Sequence, residues 1–308
     1  MADKRIDEAT GTETMGHEWD GIEELNTPLP KWWLYTFYAC IAFAIGYVVV
    51  YPAIPLINGG TPGIWGWTSR GQFDKEMKAE QAERAPILAA LAKTPLDQLP
   101  NDPKLMRAAI EGGAAAFKVN CVQCHGAGAA GSKGYPNLND DDWLWGGTID
   151  QIDYTITHGV RQAADPESHM SQMPSFGKDG ILTASQIDQV VTYVQTISGQ
   201  QKPSAASQAG AAIFEQNCAV CHGADGKGNQ TLGAPNLTDA IWLYGGDRKD
   251  LINTVTNAHY GQMPNWGGRL DPVTIKMLAA YVHSRGGGVA SPAAAPAAAD
   301  AAPAGEAQ

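Results

Sequence analysis

One apolar run dominates the pattern of hydrophobic and polar positions. WWLYTFYACIAFAIGYVVVYPAIPLI extends from Trp32 to Ile57 without a charge. As a helix at 1.5 Å per residue it would be about 39 Å long, ample for a ~30 Å hydrocarbon core. Trp32, Trp33 and Tyr35 at one end and Tyr47 and Tyr51 at the other are placed like interfacial belts. Pro52 and Pro55 are expected to end the helix. A buried core helix would be shorter or show a polar face. A cleaved leader would start earlier, behind basic residues, and would carry a small-residue cleavage site. The pattern predicts one membrane-spanning helix over 32–57.

The flanks read differently. Residues 1–31 carry eight acidic and three basic side chains and sustain no 3.6-residue apolar period. They are expected to form an extended or disordered acidic segment. Residues 58–103 read as a juxtamembrane helix and linker. Charges alternate with Ala and Leu over 70–93, a solvated helix expected to be interrupted near Pro86, and Pro95, Pro100 and Pro103 follow. Residues 288–308 are almost all Ala and Pro and are expected to be disordered.

Between these flanks the chain repeats itself. GAAAFKVNCVQCHG from Gly113 matches GAAIFEQNCAVCHG from Gly210. Pro136-Asn137-Leu138 matches Pro235-Asn236-Leu237, Trp143 with Gly146-Gly147 matches Trp242 with Gly245-Gly246, and Met173-Pro174 matches Met263-Pro264. Each copy closes on an apolar helical pattern that contains Tyr193 or Tyr281. Two homologous lobes follow, 104–199 and 208–287, joined by a linker over 200–207. Gly113 and Gly210, each four residues before a phenylalanine, suit a close helix crossing against Tyr193 or Tyr281.

The repeated motif carries the chemistry. Cys121-Val-Gln-Cys124-His125 and Cys218-Ala-Val-Cys221-His222 are c-type haem attachment signatures. Positions i and i+3 share one helical face, so both thiols reach one porphyrin, and the adjacent histidine becomes an axial ligand. A four-cysteine zinc site would need the pairs closer than 97 residues apart. A thioredoxin-like motif would not be duplicated with a histidine each time. The fold class expected is all-α: one transmembrane helix followed by two tandem cytochrome c-like (class I) domains, each around a covalent haem c.

Each iron then requires a sixth ligand. Met173 and Met263, in QMPSF and QMPNW, occupy matching repeat positions 48 and 41 residues after His125 and His222. A thioether there raises the reduction potential and suits electron transfer. The spacing does not say which methionine serves which iron. His158, His169, Met170 and His259 are weaker candidates. His158 has no aligned histidine and reads as a surface or supporting residue, and His169 and Met170 fall where the first copy is longer. Trp143, Trp145, Trp242 and Tyr244 are expected as pocket walls or as donors to haem propionates. Cys40, mid-membrane, reads as a small apolar packer.

Charge narrows the partners. The net charge of −11 excludes nucleic acid, since nothing neutralises phosphates. Residues 101–200 carry six basic and eleven acidic groups, against seven and six over 201–288. Asp140, Asp141 and Asp142 form the densest acidic run, either a solvated loop or a docking face for a basic electron donor. Lys31 on one side of the anchor and Arg70 and Lys75 on the other give no orientation. Bacterial haem c attachment takes place outside the cytoplasmic membrane, so the lobes are expected in the periplasm and the anchor in the inner membrane.

The acidic N-terminus ending HEWDGIEELNTPLPKWWLYTF, the single anchor, the two haem motifs, and QMPSFG with QMPNWG together resemble the dihaem subunit III of cbb3-type cytochrome c oxidases. That family includes the nitrogen-fixation oxidase subunit of rhizobia. The resemblance implies a non-catalytic subunit with two covalent haem c groups. Such a subunit takes electrons from a soluble or membrane-bound cytochrome c. It passes them to a monohaem cytochrome subunit and on to the haem–copper subunit that reduces oxygen and pumps protons. It also implies a possible exchange of axial ligands, His125 with Met263 and His222 with Met173. A stand-alone anchored dihaem carrier and the cytochrome subunit of a periplasmic dehydrogenase are the alternative readings; the segment before the anchor speaks against both.

Overall fold

A computed structural model describes residues 4–290. Contacts divide the chain into two units, one up to Glu83 and one from Arg84.

The first unit departs from the expected extended tail. Strand β1 (Thr14–Trp19) pairs antiparallel with β2 (Ile22–Leu25). The turn residues Asp20 and Gly21 both take positive φ, 50° and 84°, the geometry a two-residue turn between twisted strands requires. Thr14 is buried, donating its N–H to Arg5 O at 2.7 Å and accepting from Arg5 N–H on Oγ1 at 3.2 Å. The Asp-Gly pair was the available signal, masked by the acidic composition around it.

Helix α1 (Lys31–Val50) is 20 residues long, about 30 Å. It ends seven residues before the Ile57 expected from the apolar run, just ahead of Pro52. Its exposed carbonyls are met by returning chain: the Ile64 and Trp65 N–H groups donate to Val49 O and Val50 O at 3.0 and 3.4 Å. Tyr51 packs edge-on against Trp65 and Trp67, extending the aromatic belt beyond the two tyrosines anticipated. None of its side chains is buried, and the helix is long and apolar enough to cross a membrane. A short hairpin, β3 (Pro55–Leu56) with β4 (Gly59–Gly60), follows. Helix α2 (Ser69–Lys93) then runs through Pro86, where an interruption was expected. This long, mostly exposed helix absorbs the one missing backbone donor.

The second unit contains the repeats. A 3₁₀ turn (Leu96–Asn101) leads into α3 (Pro103–Asn120) and α4 (Val122–His125), then α5 (Ile149–His158) and α6 (Ala184–Ile197). The second copy runs α7 (Ala205–Asn217), α8 (Ala219–His222), α9 (Arg248–Asn257) and α10 (Pro272–His283). Thr148, Thr183 and Ser204 start α5, α6 and α7 with reciprocal capping boxes, and Asp102 and Asp271 cap α3 and α10 ahead of a proline.

Packing crosses the repeats. The first core joins Leu105, Ala109 and Phe117 of α3 and Ile149, Ile152 and Ile156 of α5 to Ile275, Leu278 and Val282 of α10. The second joins Phe214 of α7 and Leu251 of α9 to Ile187, Val190, Val191 and Val194 of α6. Each first helix therefore meets the closing helix of the other copy. Two glycines permit this approach. A Cβ on Gly113 would lie 2.0 Å from Met277 O, with Tyr281 Cβ at 2.7 Å; one on Gly210 would lie 2.1 Å from Gln189 O, with Tyr193 Cβ at 2.9 Å. The packed bodies thus do not coincide with the stretches 104–199 and 208–287, although those stretches hold the repeats. Gly288 to Ala290 are described, with the Val289 N–H donating to Gly147 O at 2.8 Å. The rest of the expected Ala/Pro tail lies outside the described residues.

Candidate haem-binding sites

Each Cys-x-x-Cys-His motif is built the same way. The first cysteine breaks from the preceding helix, and a short helical turn carries the second thiol and the histidine. Gly126 and Gly223, at φ 76° and 77°, end these turns in the left-handed region that glycine enters without strain. The chain then returns so that a proline carbonyl meets the imidazole: His125 Nδ1 to Pro136 O is 3.1 Å, and His222 Nδ1 to Pro235 O is 3.0 Å. The repeated Pro-Asn-Leu therefore has a defined role. Its proline carbonyl holds the ring, its asparagine closes the next turn (Asn137 Oδ1 accepts from Asn139 N–H, Asn236 Oδ1 from Thr238 N–H), and its leucine packs into the core.

Burial sets the chemistry of these groups. It holds both histidines below the usual imidazole range, only partly opposed by the proline carbonyls. With Nδ1–H committed to a carbonyl, each neutral ring has Nε2 free as an iron donor. Burial, together with the neighbouring thiols Cys124 and Cys221, pushes Cys121 and Cys218 up to about 11. In this environment the free thiols stay protonated and are not activated as redox nucleophiles. The two pairs also sit on different cores, which excludes one shared four-cysteine metal site.

The methionines sit opposite to their order along the chain. Met173 packs on the second core beside Cys218 and Trp242. Met263 packs on the first core beside Cys121, Trp143 and Trp266. Around the second core a cavity of about 410 Å³ is lined by Cys218, Cys221, His222 and Met173, with Phe176, Leu237 and Trp242 among its apolar walls. Two thiols, a neutral imidazole, a thioether and apolar walls around one space fit a c-type haem.

The other aromatic and imidazole candidates divide. Trp143 Nε1 donates to Gly287 O at 2.6 Å, so it anchors the C-terminal loop and is not a propionate donor. Trp145 and Tyr244 line the cavity and stack on His169 and His259, with ring centroids 4.2 and 3.8 Å apart. Thr155 and Thr254 bond the Nε2 atoms of these histidines at 3.1 and 3.0 Å. His169 and His259 are therefore structural equivalents. The signal was His-x-x-Gln-Met-Pro, four residues ahead of each methionine, hidden by the longer first copy. His158 lies between Asp165 and Glu167, at 3.2 and 3.5 Å, and pins the extra loop. Met170 is exposed. Within the acidic run, Asp141 is exposed while Asp140 and Asp142 are half-buried along the cavity.

Comparison with known proteins agrees with this geometry. A model of the N-terminal domain of the cbb3 oxidase protein FixP matches residues 11–58, a cytochrome c model matches 110–198, and a cbb3-type cytochrome c oxidase subunit III model matches 205–282. The cbb3-type cytochrome c oxidase subunit CcoP of Cereibacter sphaeroides is 54% identical over 89% of this chain and 95% of its own length. Subunit FixP of Azorhizobium caulinodans is 52% identical over 92% and 96%, and that of Rhizobium meliloti 48% over 94% and 100%. The chain belongs to the cbb3-type cytochrome c oxidase subunit III family. As a subunit III chain it is a dihaem electron-transfer cytochrome with two covalent haem c groups. The subunit III model covers the second repeat, while the first matches cytochrome c in general.

Proposed function

We propose that this chain feeds electrons into a cbb3-type oxidase. It takes them from a soluble or membrane-bound cytochrome c and hands them to the monohaem and haem–copper subunits. Helix α1 anchors it in the bacterial inner membrane, with the two cytochrome cores in the periplasm. The covalent haems supply the one-electron carriers. Cys121 and Cys124 tether one and Cys218 and Cys221 the other. Pro136 and Pro235 hold His125 and His222 with Nε2 as donor. Met263 would complete the first site and Met173 the second, so each iron would draw ligands from both repeats. The observation that carries this pairing is the placement of each methionine on the core of the opposite copy's cysteines. Thioether donation would favour a low-spin, six-coordinate iron suited to electron relay over oxygen binding.

The reduced-minus-oxidised spectrum of the material that co-purifies with the chain from detergent-solubilised membranes tests the assignment. Bands of both b- and c-type haem are expected. A spectrum of c-type haem alone, with no partner subunits, would favour a stand-alone carrier.

A further inference from the structure

Nine extra residues separate Trp from Met in the first repeat, 30 positions against 21 in the second, and they hold a residue that the ligand set does not use. Arg161 takes φ 55°, a left-handed conformation that a long L side chain adopts only when its surroundings impose it. Its backbone is fixed on both sides. The Arg161 N–H donates to His169 O at 2.7 Å, and Gln262 Nε2 donates to Arg161 O at 3.1 Å. Next to it, Val160 exchanges two backbone bonds with Met263, at 2.9 and 3.1 Å.

The guanidinium explains the strain. Nε donates to Ser171 O at 3.0 Å and Nη1 to Gly261 O at 2.7 Å. Ser171 lies two residues before Met173, and Gly261 lies two residues before Met263. One planar, permanently charged fork thus bonds equivalent carbonyls on the two segments that carry the methionines. The same side chain lines the cavity of the second site and lies over the Tyr260 ring at 5.7 Å. Ser171 Oγ donates onward to Leu232 O, so the Met173 segment is also tied to the second repeat. Two single-repeat sites could each place a methionine with local bonds. Here one side chain serves both.

We propose that Arg161 is a shared positioning residue: it clamps the Met173 and Met263 segments together and thereby sets methionine ligation at both irons at once. The proposal rests on the axial-ligand reading above. Lysine keeps the charge but offers a single nitrogen, which cannot hold two carbonyls in the fixed geometry of the fork.

The test compares the wild-type full-length holoprotein with Arg161→Ala and Arg161→Lys, reading the methionine–iron absorption of the ferric protein and the two midpoint potentials. Expected are a loss of methionine–iron absorption and a downward shift of both potentials in Arg161→Ala. A smaller change at both sites is expected in Arg161→Lys, which decides alone if the alanine variant does not accumulate. Wild-type potentials and absorption in the variants, or a change confined to one haem, would overturn the shared clamp while leaving the methionines as ligands. A wild-type holoprotein without methionine–iron absorption at either haem would sink the ligand reading and the clamp with it.

Discussion

The two cytochrome cores use the same chemistry but close differently. The second is assembled from neighbours: Met173, α6, α7, α8 and α9 follow one another along the chain. The first spans from α3 to α10, with its methionine at position 263. Their outer fastenings differ too. Arg248 of α9 ties the second core to α6, donating to Gln195 Oε1 at 2.9 Å and to Thr192 Oγ1 at 3.2 Å, with an ion pair to Asp188. Lys276 of α10 ties the first core to the end of α2, donating to Leu91 O and Thr94 O at 2.8 and 2.7 Å. Identical local motifs can therefore be closed by a short-range or a long-range partner, and only the long-range one makes the whole chain obligatory.

The strongest test of this contrast replaces the methionines. Met263→Ala should lower the potential of the haem on Cys121 and Cys124, and Met173→Ala that of the haem on Cys218 and Cys221. Each should also cost about 1–2 kcal/mol of stability from the lost half-buried side chain. Redox titration after peptide-level assignment of each haem decides; a fall at the haem of the same repeat would reverse the pairing. Next come the crossings. Gly113→Ala should loosen the first core and Gly210→Ala the second, each by about 1–3 kcal/mol, because the added Cβ meets backbone that cannot yield. Hydrogen exchange resolved by helix should show α10 deprotected in the first variant and α6 in the second.

A smaller effect is expected at Asp142. Burial, reinforced by Asp239, Asp140 and Asp141, raises its carboxyl to about 6 from an unfolded value near 3.8. The folded state therefore holds the proton more tightly, and this group subtracts stability as pH rises from about 4 to about 6. Asp142→Asn should stabilise the protein above pH 6 by on the order of 1 kcal/mol, after allowance for residual exposure, and flatten that part of the melting profile. An unchanged pH profile would count against it. Least is expected of Lys276→Met. It should loosen only the end of α2, by about 0.3–1 kcal/mol, and leave the second core's exchange pattern untouched.

Much of this was legible in the residues. The anchor, the repeat, both attachment motifs and the candidate methionines all follow from local pattern. The helix exchange does not, because α6 and α10 present equivalent faces with Tyr193 and Tyr281, and a periodicity reads the same whichever partner it meets. The equivalence of His169 and His259 was hidden for a related reason: the insertion shifts one register by nine, and alignment from Trp143 places Val160 opposite His259. Arg161 gives no local signal, since its two partners are carbonyls supplied by distant backbone. The hairpin at Asp20-Gly21 was legible and was outweighed by acidic composition.

The crossing of α3 with α10 also imposes a schedule. In an emerging polypeptide, Cys121 appears 142 positions before Met263. At ribosomal rates of about 5–20 residues per second, that is a wait of roughly 7–28 s. During that interval the first pair of thiols has no closing helix to pack against its core. The second pair has α6 waiting when α7 arrives. Two copies of one motif thus gain their packing partners at different points of synthesis.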